Sequence, residues 1–187
     1  MAKIPFKVSA RTARLIGREN IASSKGAIIE LVKNAYDADS PFCIVYFSTD
    51  SLYIIDAGEG MTQNVIANHW MTIGTNNKET DYFTKSGRVK AGAKGIGRFA
   101  LDKLGSKCQL FTKFNSKVHK DFYKNEIETN FEAYKWTVDW TDFEGEFKTI
   151  DKVQADLVGY ENLDLKEYII KDINNTLTSL GVDNIND

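Results

Sequence analysis

The stretch SKGAIIELVKNAYDAD, residues 24–39, decides how this chain is read. Ala27, Ile28, Leu31, Val32 and Ala35 recur at helical spacing, which puts them on one side of a helix and turns that side to a core. Ser23 or Ser24 supplies an N-cap, and Ser40-Pro41 ends the helix because a residue before proline avoids the α region. At about 100° per residue, Glu30, Asn34 and Asp37 fall within roughly 60° of one another, away from the apolar side chains. An ordinary amphipathic helix with a solvated face would read the same way. Two details point further. Asparagine is a mediocre helix former, and Asp37 and Asp39 sit in the last turn, where the helix dipole disfavours negative charge by ~0.3–1 kcal/mol. A carboxylate and an amide one turn apart can instead bind a divalent cation and orient a water.

Downstream, residues 42–47 and 52–55 are rich in β-branched and aromatic side chains and read as two strands of a hairpin. DAGEGM, residues 56–61, follows at once. Asp56 at a strand end offers a carboxylate to an amino group. Gly58 and Gly60 let the backbone approach a flat ring, and Met61 supplies a polarizable apolar wall. An adenine needs those three things, although a plain glycine-containing turn would look alike. Residues 64–71 read as a short helix. From 74 to 97 large apolar residues almost disappear, and a connection of that length is usually functional or mobile.

That connection ends in GAKGIG, residues 92–97, which leads into a short helix over 98–104 closed by Gly105. Helix N-termini carry unpaired N–H groups and partial positive charge, which suits a phosphate, and Lys94 adds a full charge. A P-loop requires Gly-Lys-Ser/Thr, which is missing, and a dinucleotide fingerprint requires a buried preceding strand, where this chain has only the polar residues 85–94. A flexible surface loop is the bland alternative. Residues 108–114 read as a strand. Residues 131–140 alternate, with Tyr134, Trp136, Val138 and Trp140 on one face, and 163–180 are helical in part. Helix, hairpin, long loop, helix and several strands make an α+β chain with helices layered on a largely antiparallel sheet.

Composition narrows the classes. The chain has 187 residues, 42% hydrophobic and 27% charged, which suits one globular domain rather than a disordered chain. A net charge of −2 argues against a strongly basic nucleic-acid binder. No apolar run approaches the ~20 residues of a membrane span, and the start lacks a secretory signal, so a cytoplasmic location is expected. Cys43 and Cys108 read as buried free thiols, and His69 and His119 form no zinc pattern.

Taken in order, these elements resemble the GHKL ATPase superfamily of gyrase, the heat-shock chaperone ATPases, MutL and the sensor histidine kinases. Residues 27–38 look like its N-box, Asp56-x-Gly58-x-Gly60-Met61 like its adenine motif, and Gly92-x-Lys94-Gly95-x-Gly97 like its second glycine motif at the lid. WMTIGTNNK, residues 70–78, is similar to the segment that opens the lid in the chaperone and MutL branch. The resemblance covers roughly residues 10 to 115. It implies a Bergerat fold, a two-layer α/β sandwich with helices on one face of a mixed, mostly antiparallel sheet. It implies ATP and Mg²⁺ as ligands, with Glu30 as general base, Asn34 on the metal and Asp56 on the adenine amine. Asp37, Ala38 and Met61, with Gly58 and Gly60, would line the base pocket. Gly92, Gly95, Ile96, Gly97 and the backbone at Arg98 would hold phosphates, with Thr75, Lys78 and Lys94 beside them. Glutamate at position 30 favours the hydrolysing branch over the kinase branch.

The resemblance further implies one ATP-binding domain over 1–187, with its lid at about 74–97, forming the N-terminal part of a longer protein. ATP would drive lid closure, homodimerisation or a downstream partner domain, with nucleic acid contacted only through other domains and no membrane. A module that senses ATP without hydrolysing it is the alternative. One departure stands out. The family places a threonine from a late Gly-Thr strand beneath the adenine, and here Thr112, Thr137 and Thr149 are candidates without the glycine.

Overall fold

The computed structural model describes residues 3–73, 82–92, 97–122, 131–146 and 148–171. Ser9 caps the first helix, α1 (Ala10–Glu19), by accepting a hydrogen bond from Thr12 N. This helix has no large apolar stripe. Its buried face is Ala10, Ala13 and Gly17, small residues that let it lie close to its neighbours. At Gly17 the approach is closest, for a Cβ there would sit 2.1 Å from Cβ of Phe99.

The decisive stretch forms α2 (Ser24–Asp37), with Ser23 as its cap. Ala27 and Ala35 are its buried residues. Val32, expected to face the core, instead helps line an open groove with Ile29, Lys33, Tyr36, Val89 and Ala91. Small side chains on the inner face let α2 sit low, and the larger ones ride at its flanks.

Strands β1 (Cys43–Phe47) and β2 (Leu52–Asp56) pair antiparallel with Cys43 opposite Asp56, so Asp56 is the last residue of its strand. Thr62 then caps a short helix, α3 (Gln63–Val65), which widens into a π turn over Ile66–Trp70. Further along the chain a tight 3₁₀ helix, Gly97–Lys103, leads to Gly105, whose N–H bonds Leu101 O. Strands β3 (Lys107–Lys113), β4 (Ala133–Asp139) and β5 (Asp156–Tyr160) make a second antiparallel sheet with β4 at its centre. Between β3 and β4 lies α4 (Ser116–Phe122), which the sequence reading did not contain. A helix over 165–171 ends the described chain.

The fold is therefore α+β, as expected, with every described strand pair antiparallel and the strands divided between two sheets. Tyr134, Trp136 and Val138 alternate inward from β4 and join Trp140, Phe143, Phe99, Ile66 and Ala10 in the main core. Burying a large apolar side chain stabilises by roughly 1.5–3 kcal/mol, so this aromatic cluster anchors α1, the 3₁₀ helix and the sheet together. Cys43 and Cys108 are free, as expected, but half-buried rather than buried. Burial pushes the Cys108 thiol up to about 12. Among the described residues no helix is long and apolar enough to cross a membrane.

Candidate functional site

Helix α2 ends by gripping backbone. Its last residue, Asp37, accepts hydrogen bonds from Ala91 N at 2.7 Å and Gly92 N at 3.1 Å. Asp39 adopts the left-handed region at φ 59° and accepts from Ser86 N at 2.9 Å and from the Ser86 hydroxyl. Arg88 donates to Ser40 O at 2.8 Å. Carboxylates that oppose the helix dipole in the sequence thus meet N–H groups from a different segment. That segment, 82–92, is itself a small hairpin, with Phe83 paired to Val89 and a turn at Gly87.

The Asp56 turn abuts the same end of α2. Glu59 N bonds Ala38 O at 3.0 Å, and Ala57 N bonds the buried Ser40 Oγ at 2.8 Å. Asp56 Oδ1 accepts from Gly58 N at 2.8 Å, which leaves an exposed carboxylate at the rim of a tightened turn. Gly60 holds φ 70°, and a Cβ there would lie 2.2 Å from Lys113 O, so only glycine fits against the end of β3. Met61 N donates to Thr112 Oγ1 at 2.8 Å, and its side chain packs against the main core. Of the three candidate threonines, Thr112 reaches the turn, while Thr137 pairs with Asp156 and Thr149 with Ser9. Lys85, on the hairpin, closes the ring by an ion pair with Glu59 at 2.6 Å.

Three segments far apart in sequence therefore meet at one end of one helix. Asn34 and Glu30 lie about one and two turns back along α2, both half-buried, with Glu30 Oε1 2.7 Å from Lys33 Nζ. Arg98 takes a separate place. Its guanidinium bonds His69 O at 3.1 Å and covers the Trp70 ring, and burial lowers its pKa to about 10. Its side chain is thus committed to the π turn that follows α3, and Gly97 opens the 3₁₀ helix beside it. Thr75, Lys78, Lys94, Gly95 and Ile96 lie outside the described residues.

Comparison with known proteins agrees with this arrangement: the family described as histidine kinase-, DNA gyrase B- and HSP90-like ATPases matches residues 22–157. The chain belongs to that family. It carries an ATPase-type nucleotide-binding module. A putative type II restriction enzyme, HgiDII, from Herpetosiphon aurantiacus is 31% identical over 84 residues, which is 45% of this chain and 14% of that protein. The chain thus spans a small part of that relative.

Reading residues alone missed several parts of the site. Asn115, Ser86 and Arg88 carry no motif. Thr112 was one of three equal candidates, and His119 gave no signal beyond being one of two histidines. The unfavourable charge at Asp37 and Asp39 was a signal of the 82–92 hairpin, since a helix end left with two carboxylates needs donors from elsewhere.

Proposed function

We propose that the domain binds ATP with Mg²⁺ between α2, the Asp56 turn and the lid, and hydrolyses it. One observation carries this reading: Ala38 O on Glu59 N, and Asp37 on Ala91 and Gly92 N, join the helix, the turn and the lid stem at one place. There the exposed Asp56 carboxylate accepts the adenine amine, with Gly58, Gly60, Met61 and Ala38 around the ring. The phosphates extend along α2 toward Gly92, Lys94, Gly95, Ile96, Gly97 and the Arg98 backbone, with Thr75 and Lys78 on the lid. Mg²⁺ typically takes one or two protein ligands and completes its shell with phosphates and water, so a single amide from Asn34 fits it. When bound, the metal neutralises phosphate charge. Glu30 takes the proton of a water as its oxygen attacks the γ-phosphorus, and ADP leaves.

Lid closure coupled to dimerisation or to a partner domain, in the manner of the chaperone and MutL branch, is the setting we favour. The match to a putative restriction enzyme supports a parent protein that processes nucleic acid, with that contact made by other domains. The second reading, a module that senses ATP without turnover, draws on the Glu30–Lys33 ion pair, which already occupies one oxygen of the base.

Asp56→Asn is expected to weaken ATP binding at least tenfold, because an amide cannot offer both acceptor oxygens in a site built for them. Glu30→Ala is expected to keep binding and abolish phosphate release. Equal phosphate release by wild type and Glu30→Ala would overturn the base assignment. ATP binding without any phosphate release by wild type would favour the sensing module.

A further inference from the structure

His119 is 3% exposed and lies on α4. Its Nε2 stands 3.2 Å from Glu59 O and 3.1 Å from Gly60 O. Carbonyl oxygens only accept, so Nε2 carries the proton and donates to both. Asn115, which caps α4, donates its own N–H to Glu59 O at 2.9 Å. The ring of Phe114 stands edge-on to the imidazole at 5.9 Å. The carbonyl side of the Asp56 turn is therefore held by α4, and its N–H side by Ser40, Ala38 and Thr112.

We propose that His119 is a positioning residue for recognition of the purine base. It acts through the turn and fixes where the Asp56 carboxylate points, while Glu30 and Asn34 on α2 are set independently. This rests on the ATP reading above. A shift of about 1 Å in a hydrogen-bonding group is enough to lose much of its effect. Losing the donor should therefore cost discrimination at the base and spare the phosphate side.

The test compares ATP with inosine triphosphate, in which a carbonyl oxygen replaces the exocyclic amine, by titration calorimetry of the full chain with Mg²⁺. His119→Phe keeps a ring and removes the donor. It should weaken ATP roughly three- to tenfold, the range of one or two lost hydrogen bonds, and change inosine triphosphate less than twofold. His119→Gln carries an amide nitrogen at the position of Nε2 and should restore the preference. His119→Asn, one atom shorter, should not, and it serves if the phenylalanine variant fails to fold. An unchanged preference in both His119→Phe and His119→Asn overturns the proposal. So does equal weakening of both nucleotides with a lowered melting temperature, which marks a purely structural histidine. Wild type that binds neither nucleotide sinks the ATP reading itself. Wild type whose preference depends on Asp56 and not on His119 sinks only this inference.

Discussion

At Gly17 the absent side chain does as much as a present one. An added Cβ would stand 2.1 Å from Cβ and 2.3 Å from Cγ of Phe99, a residue buried in the main core. Alanine in a helix interior is worth ~1 kcal/mol over glycine, but overpacking a core typically costs ~1–3 kcal/mol and here pushes on atoms next to the backbone. Gly17→Ala is expected to be destabilising, seen as a lower urea midpoint with an unchanged slope. A raised midpoint would show that Phe99 can move aside. The same closeness explains why α1 was not legible in the sequence. Its inward face is Ala10, Ala13 and Gly17, while Leu15 and Ile16 point outward, so an apolar period built on large side chains has nothing to register.

At the scale of elements, the end of α2 and the hairpin 82–92 behave as one unit. Burial alone would push the Asp39 carboxyl up. The bonds from Ser86 and Thr84 and the charge of Arg88 outweigh that and hold its pKa below the ordinary value. A lowered folded pKa contributes stability that is full above the unfolded value, near ~3.9, and is lost as pH falls through the folded one. Asp39→Asn retains a residue at ease in the left-handed region, so it isolates the charge. Wild type should be more stable than Asp39→Asn in urea at pH 6, and the gap should close as the pH falls below the ordinary carboxylate value and through the lowered folded one. A gap that persists in acid would assign the effect to something other than the carboxylate.

The elements that were legible are those whose signals are local. Helix α2 shows through its period and caps, the β1–β2 hairpin through β-branched runs, and β4 through strict alternation. Helix α4 was not, because its buried contact is a histidine rather than an apolar stripe, and nothing near it announces that its partner lies at residues 59 and 60. Of the candidate site, three motifs were legible. How they are fastened was not, since Thr112, Asn115 and Ser86 act by tertiary hydrogen bonds that leave no spacing in the sequence.

Across the whole molecule, one ion pair ties the first helix to the middle of the chain. Arg14 on α1 binds both oxygens of Asp102 at 2.8 and 2.6 Å, and also reaches Trp140 O and Glu144. The Asp102 side chain is 1% exposed, and removing Arg14 leaves its buried charge to the half-exposed Arg18, 3.8 Å away. Arg14→Ala is expected to cost about 3–5 kcal/mol, and Arg14→Met with Asp102→Leu markedly less than the two single changes added together. Tryptophan fluorescence is the suitable probe, because Trp70, Trp136 and Trp140 all belong to the core that this pair borders. A loss under 1 kcal/mol for Arg14→Ala would show that water reaches Asp102.

Arg98 and His69 are 29 positions apart, yet one hydrogen bond, with the Trp70 ring beneath the guanidinium, brings them together. The chain between them is thus closed at its ends as well as held by Asp37 and Asp39 within. Lengthening a closed loop twofold adds only about 0.6 kcal/mol of closure entropy. On the proposed reading of residues 74–97 as a lid, its length can be changed for that of another family member, provided that Arg98, Trp70 and the donors at Ser86, Ala91 and Gly92 that Asp37 and Asp39 hold are kept.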